Sequence, residues 1–473
     1  MKPRSPLDAL FRPRSIAVIG ASRHPGKIGY TIVRNLIESG YMGKIYPVNP
    51  LAKEILGLRA YPTVLDIPDE VDMAVIAVPV GAVLKVAREC GEKGVKVLVV
   101  ITAGFSEVGN REAEEELVRI AHRYGMRVLG PNIFGVAYTP IGMNATFGPS
   151  RIRRGNIAFI TQSGALGIAL MGWTSMNELG LSAVVSMGNM ADIDVVEVSE
   201  WLAEDPHTRV IAIYLEGLKP GTGQRFIEAM KRVSARKPVV VIKAGRTSRG
   251  AAAVASHTGS LAGADNLYTA GFRQAGILRA STVEEMFDWA RAFATQPLPR
   301  GENTVIITNG GGVGVLATDA AELHGVPLLQ PSQELIERFR KTMPWFGSPK
   351  NPVDLSGQAG VENYVAALRA AYESDEVDNI VVLYCQTAVL DPVDLAKAIS
   401  DVAEEYRDTG KPLLVAMVGG VETHEAMKVL NRKHIPAYPS PERAVSSLAA
   451  MLRYQRYRKR VLGEKQEAPS NRG

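Results

Sequence analysis

One succession of short apolar runs occurs three times along the chain, and it limits the fold more than any other feature. The runs begin at Ser15, Asp72 and Val95, again at Asn156, Arg209 and Lys237, and again at Asn303, Asn379 and Lys411. Each is rich in Val and Ile and ends in Gly, Asn, Pro, Ser or Cys, with helix-period segments between. Runs this short and this continuously apolar are strands buried on both faces, and their alternation with helices makes parallel βαβ units. The chain is therefore read as α/β, with three consecutive Rossmann-like or flavodoxin-like modules and mainly parallel sheets. Pro- and Gly-rich breaks at 148–155 and 296–301 divide it into 1–147, 148–297 and 298–473, the last ending in a basic helix. In such sheets ligands bind at the carboxyl ends of the strands, so the chemistry is sought in the turns there.

Length agrees with this division, because 473 residues suit about three domains of ordinary size. The 54 basic and 49 acidic side chains leave a net charge of only +5, too little to argue for nucleic-acid binding. The basic stretch from Arg453 to Lys465, with Tyr454 and Tyr457 interleaved, reads as a solvated terminal helix. Cys90 falls in a predicted helix and Cys385 at a strand end, with no metal-ligand spacing, which points to a reducing cytoplasm and no structural metal. Residues Met1 to Arg14 lack the apolar core of a signal peptide. The uncharged stretch from Ile157 to Asn177 is long enough to cross a membrane, but polar Thr161 to Gly164 splits it into a strand and a helix.

The first strand, Ser15 to Ile19, runs into a turn from Gly20 to Gly29 that contains Arg23 and Lys27. Glycines there let a phosphate approach the backbone, and a following helix N-terminus favours its charge. A plain strand-to-helix turn would need the same glycines. Ile28 stands where a Walker A loop needs Ser or Thr. The next strand ends in Asn49-Pro50, so a dinucleotide lacks its usual ribose-binding carboxylate, and an NAD-dependent oxidoreductase is disfavoured. In the third module Gly312-Val-Gly314-Val-Leu-Ala317 fits the dinucleotide pattern. The strand expected next, Val326 to Gln330, closes without an acid, so this is read as tight helix packing.

Of the seven histidines, His257 stands apart, because from Gly250 to Gly263 nearly every neighbour is small and nothing local could bury or pair it. A segment so free of anchors is suited to moving and presents one nucleophilic imidazole. Glu216 closes a strand at the same edge and could fix that imidazole's tautomer. The turn Thr161-Gln162-Ser163-Gly164 opens a helix whose amides and hydroxyls suit a phosphoryl group. Together they describe phosphoryl transfer through a phosphohistidine. A serine hydrolase is the competitor, but the turn lacks G-x-S-x-G.

These motifs, with Val48-Asn49-Pro50, Gly130-Pro131-Asn132, Ser186 to Asn189, Asn309 to Gly312 and Asn351 to Gly357, resemble the nucleoside-diphosphate-forming acyl-CoA synthetases, relatives of succinyl-CoA synthetase. The resemblance covers nearly the whole chain: a CoA-binding domain, a phosphohistidine domain and a ligase-CoA domain in that order. It implies an alpha-type subunit of an acid–thiol ligase, with acetyl-CoA the expected thioester, that turns acyl-CoA, ADP and phosphate into acid, ATP and coenzyme A. His257 would carry the phosphoryl group with Glu216 as its partner, and Thr161, Ser163 and Gly164 would hold the phosphate. Coenzyme A would lie along Gly20, Ser22, Arg23, Lys27, Asn49, Pro50, Val78, Pro79, Thr102 and Asn132. Gln162 and Ala103 depart from succinyl-CoA synthetase, which has Arg and Glu there. No fourth module suits an ATP-grasp domain, so a beta subunit is expected to bring ATP or ADP and Mg²⁺ in an αβ or α₂β₂ assembly. A non-catalytic sensor of coenzyme A or acyl-CoA is the alternative.

Overall fold

The computed structural model describes the backbone of residues 7–258 and 265–463, and the side chains of these except 255–258. Contacts divide the chain into two compact units, Met1–Arg279 and Ala280–Gly473. The first unit carries two sheets that share an apolar core running from Leu7 to Ile277, and a separate apolar cluster covers the other face of the first sheet.

In the first sheet the order is Lys44–Val48, Ser15–Ile19, Met73–Ile76, Val97–Val100 and Arg127–Leu129, all parallel. That order places a topological switch point between Ser15–Ile19 and Met73–Ile76, where connections leave for opposite sides and a crevice opens. The turn above it is tight. Gly20 has φ +92°, and a Cβ there would sit 2.4 Å from the carbonyl oxygen of Ala77. A Cβ on Gly29 would sit 2.0 Å from the Gly20 oxygen, so the helix Ile28–Glu38 approaches that turn as only glycine permits.

The second sheet runs Leu278–Ala280, Val239–Lys243, Val210–Leu215, Arg154–Thr161, Leu181–Ser186, Gly135–Tyr138 and Met143–Thr146. Its two last strands are antiparallel and lie on the amino-terminal side of the break read at 147. They fasten the first two sheets together, and the buried Asn35 amide on helix Ile28–Glu38 donates to Thr146 O at 2.8 Å and Gly148 O at 2.9 Å. The uncharged stretch at 157–177 forms the strand Arg154–Thr161 and the helix Gly164–Met176, and no described helix is long and apolar enough to cross a membrane.

The third sheet belongs to the second unit and repeats the first sheet's order: Val353–Asp354, Thr304–Thr308, Asn379–Cys385, Leu413–Val418, Ala437–Tyr438. One expectation is corrected here. Residues 326–330 make only an isolated bridge, Thr304 to Leu328, and the strand beside Thr304–Thr308 is Val353–Asp354, which does end in an acid. Pro327 removes an amide donor from that run, which explains why it forms no ladder. Gly314 still acts in packing, with Thr308 and Pro352 about a methyl's width away. The helix Pro441–Leu462 buries Tyr454 and Tyr457, and the Arg453 guanidinium lies 4.8 Å from the Trp289 ring centroid. Gly29→Ala is expected to destabilise the chain by about 1–3 kcal/mol through overpacking; thermal melting should show a drop of several degrees, and an unchanged midpoint would contradict the close approach.

Candidate active site

Parallel pairing delivers every residue expected at the coenzyme A site to one edge of the first sheet. Gly20 and Ser22 follow Ser15–Ile19, Asn49 and Pro50 follow Lys44–Val48, Val78 and Pro79 follow Met73–Ile76, Thr102 follows Val97–Val100, and Asn132 follows Arg127–Leu129. Arg23, Lys27 and Pro50 are exposed there. Three of the polar side chains are occupied within the edge itself. Asn49 Nδ2 donates to Ala21 O at 2.7 Å while its Oδ1 accepts from Leu51 N at 2.8 Å, and Thr102 Oγ1 donates to Val78 O at 2.7 Å. The Ser22 hydroxyl accepts from His24 N at 3.0 Å. Asn49 and Thr102 thus shape the crevice, and the free charge over it comes from Arg23 and Lys27.

The second sheet meets this edge through backbone. Asn132 N donates to Thr102 O at 3.1 Å, Asn189 N to Pro131 O at 3.1 Å, and Met187 N to Thr161 O at 2.8 Å. These three bonds step from the crevice to the turn 161–164. A Cβ on Gly188 would lie 2.2 Å from Pro131 O, so the step closes only with glycine there. Beneath it, burial pushes the Glu107 carboxyl up, but the amides of Gly104 and Phe105 and the Asn189 amide hold it below the usual carboxylate range.

At the turn itself the Thr161 hydroxyl is fully buried, donating to Ser163 O at 3.0 Å and accepting from Ser163 N at 3.1 Å. It builds the turn from inside, whereas Ser163, half-buried at the N-cap of Gly164–Met176, makes no capping bond with its hydroxyl. The first backbone bond there runs from Gly167 N to Ser163 O at 3.2 Å, so the amides ahead of it point out of the helix end.

Gln162 crosses to the next strand. Its Oε1 accepts from Glu216 N at 2.5 Å and Gly217 N at 3.1 Å, and its Nε2 donates to Gly217 O at 3.0 Å. An arginine cannot accept, so the glutamine at this position makes a clamp that an arginine here could not. The clamp fixes Glu216, which is 6% exposed at the end of Val210–Leu215. Tyr214, two residues earlier on the same face, hydrogen-bonds the Glu216 carboxylate, and its hydroxyl is pushed up to about 12 by burial and by that charge. Lys243 ends the neighbouring strand in register with Leu215. Sequence reading missed Gln162's role, Tyr214 and Lys243. A polar residue ending a run of Val and Ile was the available signal for Lys243, and period-two spacing was the signal for Tyr214.

His257 lies in the helix Ser248–Thr258, and its side chain is outside the described residues. The segment read as free of anchors and suited to moving is helical up to Thr258, because Ala251, Ala252, Ala253 and Ala255 are strong helix formers. The Thr247 hydroxyl accepts from Gly250 N at 3.1 Å at its start.

Three family models match successive parts of the chain. The CoA binding domain matches residues 14–139, the succinyl-CoA ligase like flavodoxin domain residues 154–293, and the ligase-CoA domain residues 304–462. The chain is similar to the alpha subunit of acetate–CoA ligase (ADP-forming) I of Pyrococcus furiosus, 56% identical over 96% of this chain and 98% of that one. It is 42% identical to acetate–CoA ligase (ADP-forming) I of Archaeoglobus fulgidus over 95% of this chain but only 64% of that protein. Its fold matches the dinucleotide-forming acetyl-coenzyme A synthetase 1 of Ca. Korarchaeum cryptofilum in complex with phosphate and ADP, at TM-score 0.94 and 52% identity, over 97% of this chain and 99% of that one. The chain therefore belongs to the family of ADP-forming acetate–CoA ligases, acid–thiol ligases built from succinyl-CoA ligase-like domains. Gln162→Ala is expected to release the Glu216 turn and slow turnover of the complete enzyme at least about tenfold, as loss of a buried multi-bond clamp does; steady-state assay would show it, and wild-type turnover would contradict the clamp.

Proposed function

We propose that the chain is the alpha subunit of an ADP-forming acetyl-CoA synthetase that works through a phosphohistidine at His257, with the nucleotide step on a separate beta subunit. The observation that carries this reading is the convergence, within one compact unit, of the crevice edge, the open helix end at Ser163 and the buried Glu216. The coverage of relatives supports the partner. This chain covers nearly all of the Pyrococcus relative, which is itself named an alpha subunit and so implies a second chain. That chain is read as an ATP-grasp subunit carrying ATP or ADP and Mg²⁺, in an αβ or α₂β₂ assembly. The three modules, with boundaries near 147 and 297, serve coenzyme A binding, phosphohistidine chemistry and ligase function in turn, and a reducing cytoplasm suits two free thiols.

In this reading coenzyme A lies along the first edge, with Arg23 and Lys27 on its phosphates and its thiol end directed toward 130–132. Phosphate attacks the thioester carbonyl; the C–S bond breaks, giving acyl phosphate and coenzyme A. The His257 imidazole then takes the phosphoryl group as its P–O bond to the acyl oxygen breaks, releasing the acid. Glu216 accepts the hydrogen bond from the other ring nitrogen, which fixes the tautomer and makes the attacking nitrogen a better nucleophile. The Gly164 amide and the Ser163 hydroxyl at that helix end stabilise the transferred group with dipoles that are already oriented. Their helix end contributes about 1–2 kcal/mol at most, less than a desolvated dianion requires. Further donors on the partner are therefore part of the mechanism. ADP finally takes the phosphoryl group from the imidazole.

The chain alone is expected to bind coenzyme A and to make no ATP from acetyl-CoA, ADP and phosphate, while the reconstituted assembly does. With labelled phosphate and acetyl-CoA, the assembly should acquire acid-labile label that His257→Ala lacks. Coenzyme A binding without any label would instead establish the sensor reading, and ATP synthesis by the purified chain alone would remove the partner.

A further inference from the structure

Where the two edges of the first unit meet, one side chain is held from three directions. Asn189 Nδ2 donates to Glu107 Oε2 at 2.5 Å and to Glu114 Oε2 at 2.8 Å, and its Oδ1 accepts from Asn132 Nδ2 at 3.3 Å. Both carboxylates are themselves anchored. Glu107 accepts from the amides of Gly104 and Phe105, and Glu114 accepts from the Ser106 hydroxyl at 2.7 Å. Glu107 is held below the usual carboxylate range and only accepts, so Asn189 turns Nδ2 to the acids and Oδ1 to Asn132. Asn132 then has to answer with its own Nδ2, which settles the orientation of its carboxamide. One Nδ2 hydrogen is used in that bond; the other hydrogen and the Oδ1 have no partner among the described residues. The backbone beneath is equally fixed, with φ +62°, a left-handed conformation that asparagine tolerates better than most residues.

This half-buried amide sits at the far end of the coenzyme A edge. From the turn after Ser15–Ile19, which carries Arg23 and Lys27, to the turn after Arg127–Leu129 is three strand spacings, about 14 Å. An extended pantetheine arm covers that span. We propose that Asn132 is a catalytic residue of the thioester step, its free Nδ2 hydrogen donating to the thioester carbonyl oxygen as phosphate attacks, and that Asn189 is the positioning residue that aims it. This rests on the reading that the thiol end of coenzyme A reaches 130–132. In that step a phosphate oxygen bonds to the carbonyl carbon and the C=O π pair moves onto the oxygen, where the Asn132 hydrogen bond meets the developing charge. The pair returns as the C–S bond breaks, and the proton of the phosphate ends on the thiolate. Asn132 is itself unchanged, and because its amide is already oriented it needs no rearrangement as the charge forms.

Single-turnover release of free thiol from acetyl-CoA and phosphate by the complete assembly, without ADP, isolates this step. Asn132→Gly accepts the left-handed backbone and removes the carboxamide, while Asn132→Asp keeps its size and, ionised, cannot donate. Both should slow thiol release by about 10²–10³-fold, the usual effect of one lost oxyanion donor. Asn189→Ala, which leaves the donor present but unaimed, should slow it about tenfold, the worth of one ordinary hydrogen bond. Combined with Asn132→Gly it should add almost nothing, because the two act as one unit. Labelled acetyl phosphate supplied directly should still label His257 near the wild-type rate in every variant, since no thioester carbonyl reacts there. A merely structural pair would slow both partial reactions alike. That result, or thiol release at the wild-type rate in Asn132→Gly, overturns the proposal and leaves the parent reading standing. A wild-type assembly that itself frees no thiol from acetyl-CoA and phosphate overturns both.

Discussion

Parallel pairing is the constraint from which the rest follows. A sheet whose strands all run one way collects every strand's carboxyl end, and every turn after it, on a single edge. In the first unit two such edges are stitched by three backbone bonds, from Thr102 through Asn132 and Asn189 to Thr161. The stitch passes Gly188, where no other residue fits. Two otherwise separate ligand edges therefore become one continuous surface. In the proposed mechanism that continuity lets an acyl phosphate formed at one edge pass its phosphoryl group to the imidazole at the other.

Burial and charge divide the labour among the side chains of that surface. Arg23 and Lys27 stay in water, where a cation costs little and remains free to meet a phosphate. Glu216 and Lys243 sit inside, where an ionised group is costly unless it is partnered. Thr161 and Asn49, both polar and both at the correct edge, spend their hydrogen bonds on the turns themselves. Ligand contact and scaffold thus fall to different residues in neighbouring positions of the same motif.

Much of this was legible in the chain. Apolar runs ending in glycine and polar residues marked the nine recurring strands and Lys44–Val48 but not Arg127–Leu129, Leu181–Ser186 or Ala437–Tyr438, and the turn at 161–164 was placed as a strand end followed by a helix start. What periodicity could not show was pairing between distant segments. The strand Val353–Asp354 is two residues long and carries no periodic signal, while 326–330 looks like a strand but is interrupted by Pro327. The antiparallel pair Gly135–Tyr138 and Met143–Thr146 joins the second sheet across the break read at 147. The alanine-rich stretch before His257 was read for its lack of bulk alone, and the helix that the same alanines favour was not read. Gln162 was visible only as a departure from a familiar motif, and its function as an acceptor for two amides needed three-dimensional placement.

The central claim is that an imidazole at position 257, oriented by a buried carboxylate, carries phosphorus next to an open helix end. Phosphorus NMR of the complete assembly, loaded with phosphate and acetyl-CoA in the absence of ADP, tests it most directly. The account predicts a phosphoramidate resonance that vanishes when ADP is added and never forms in His257→Ala. Phosphorus found only as acyl phosphate, or bound to another residue with His257→Ala unaffected, would contradict it.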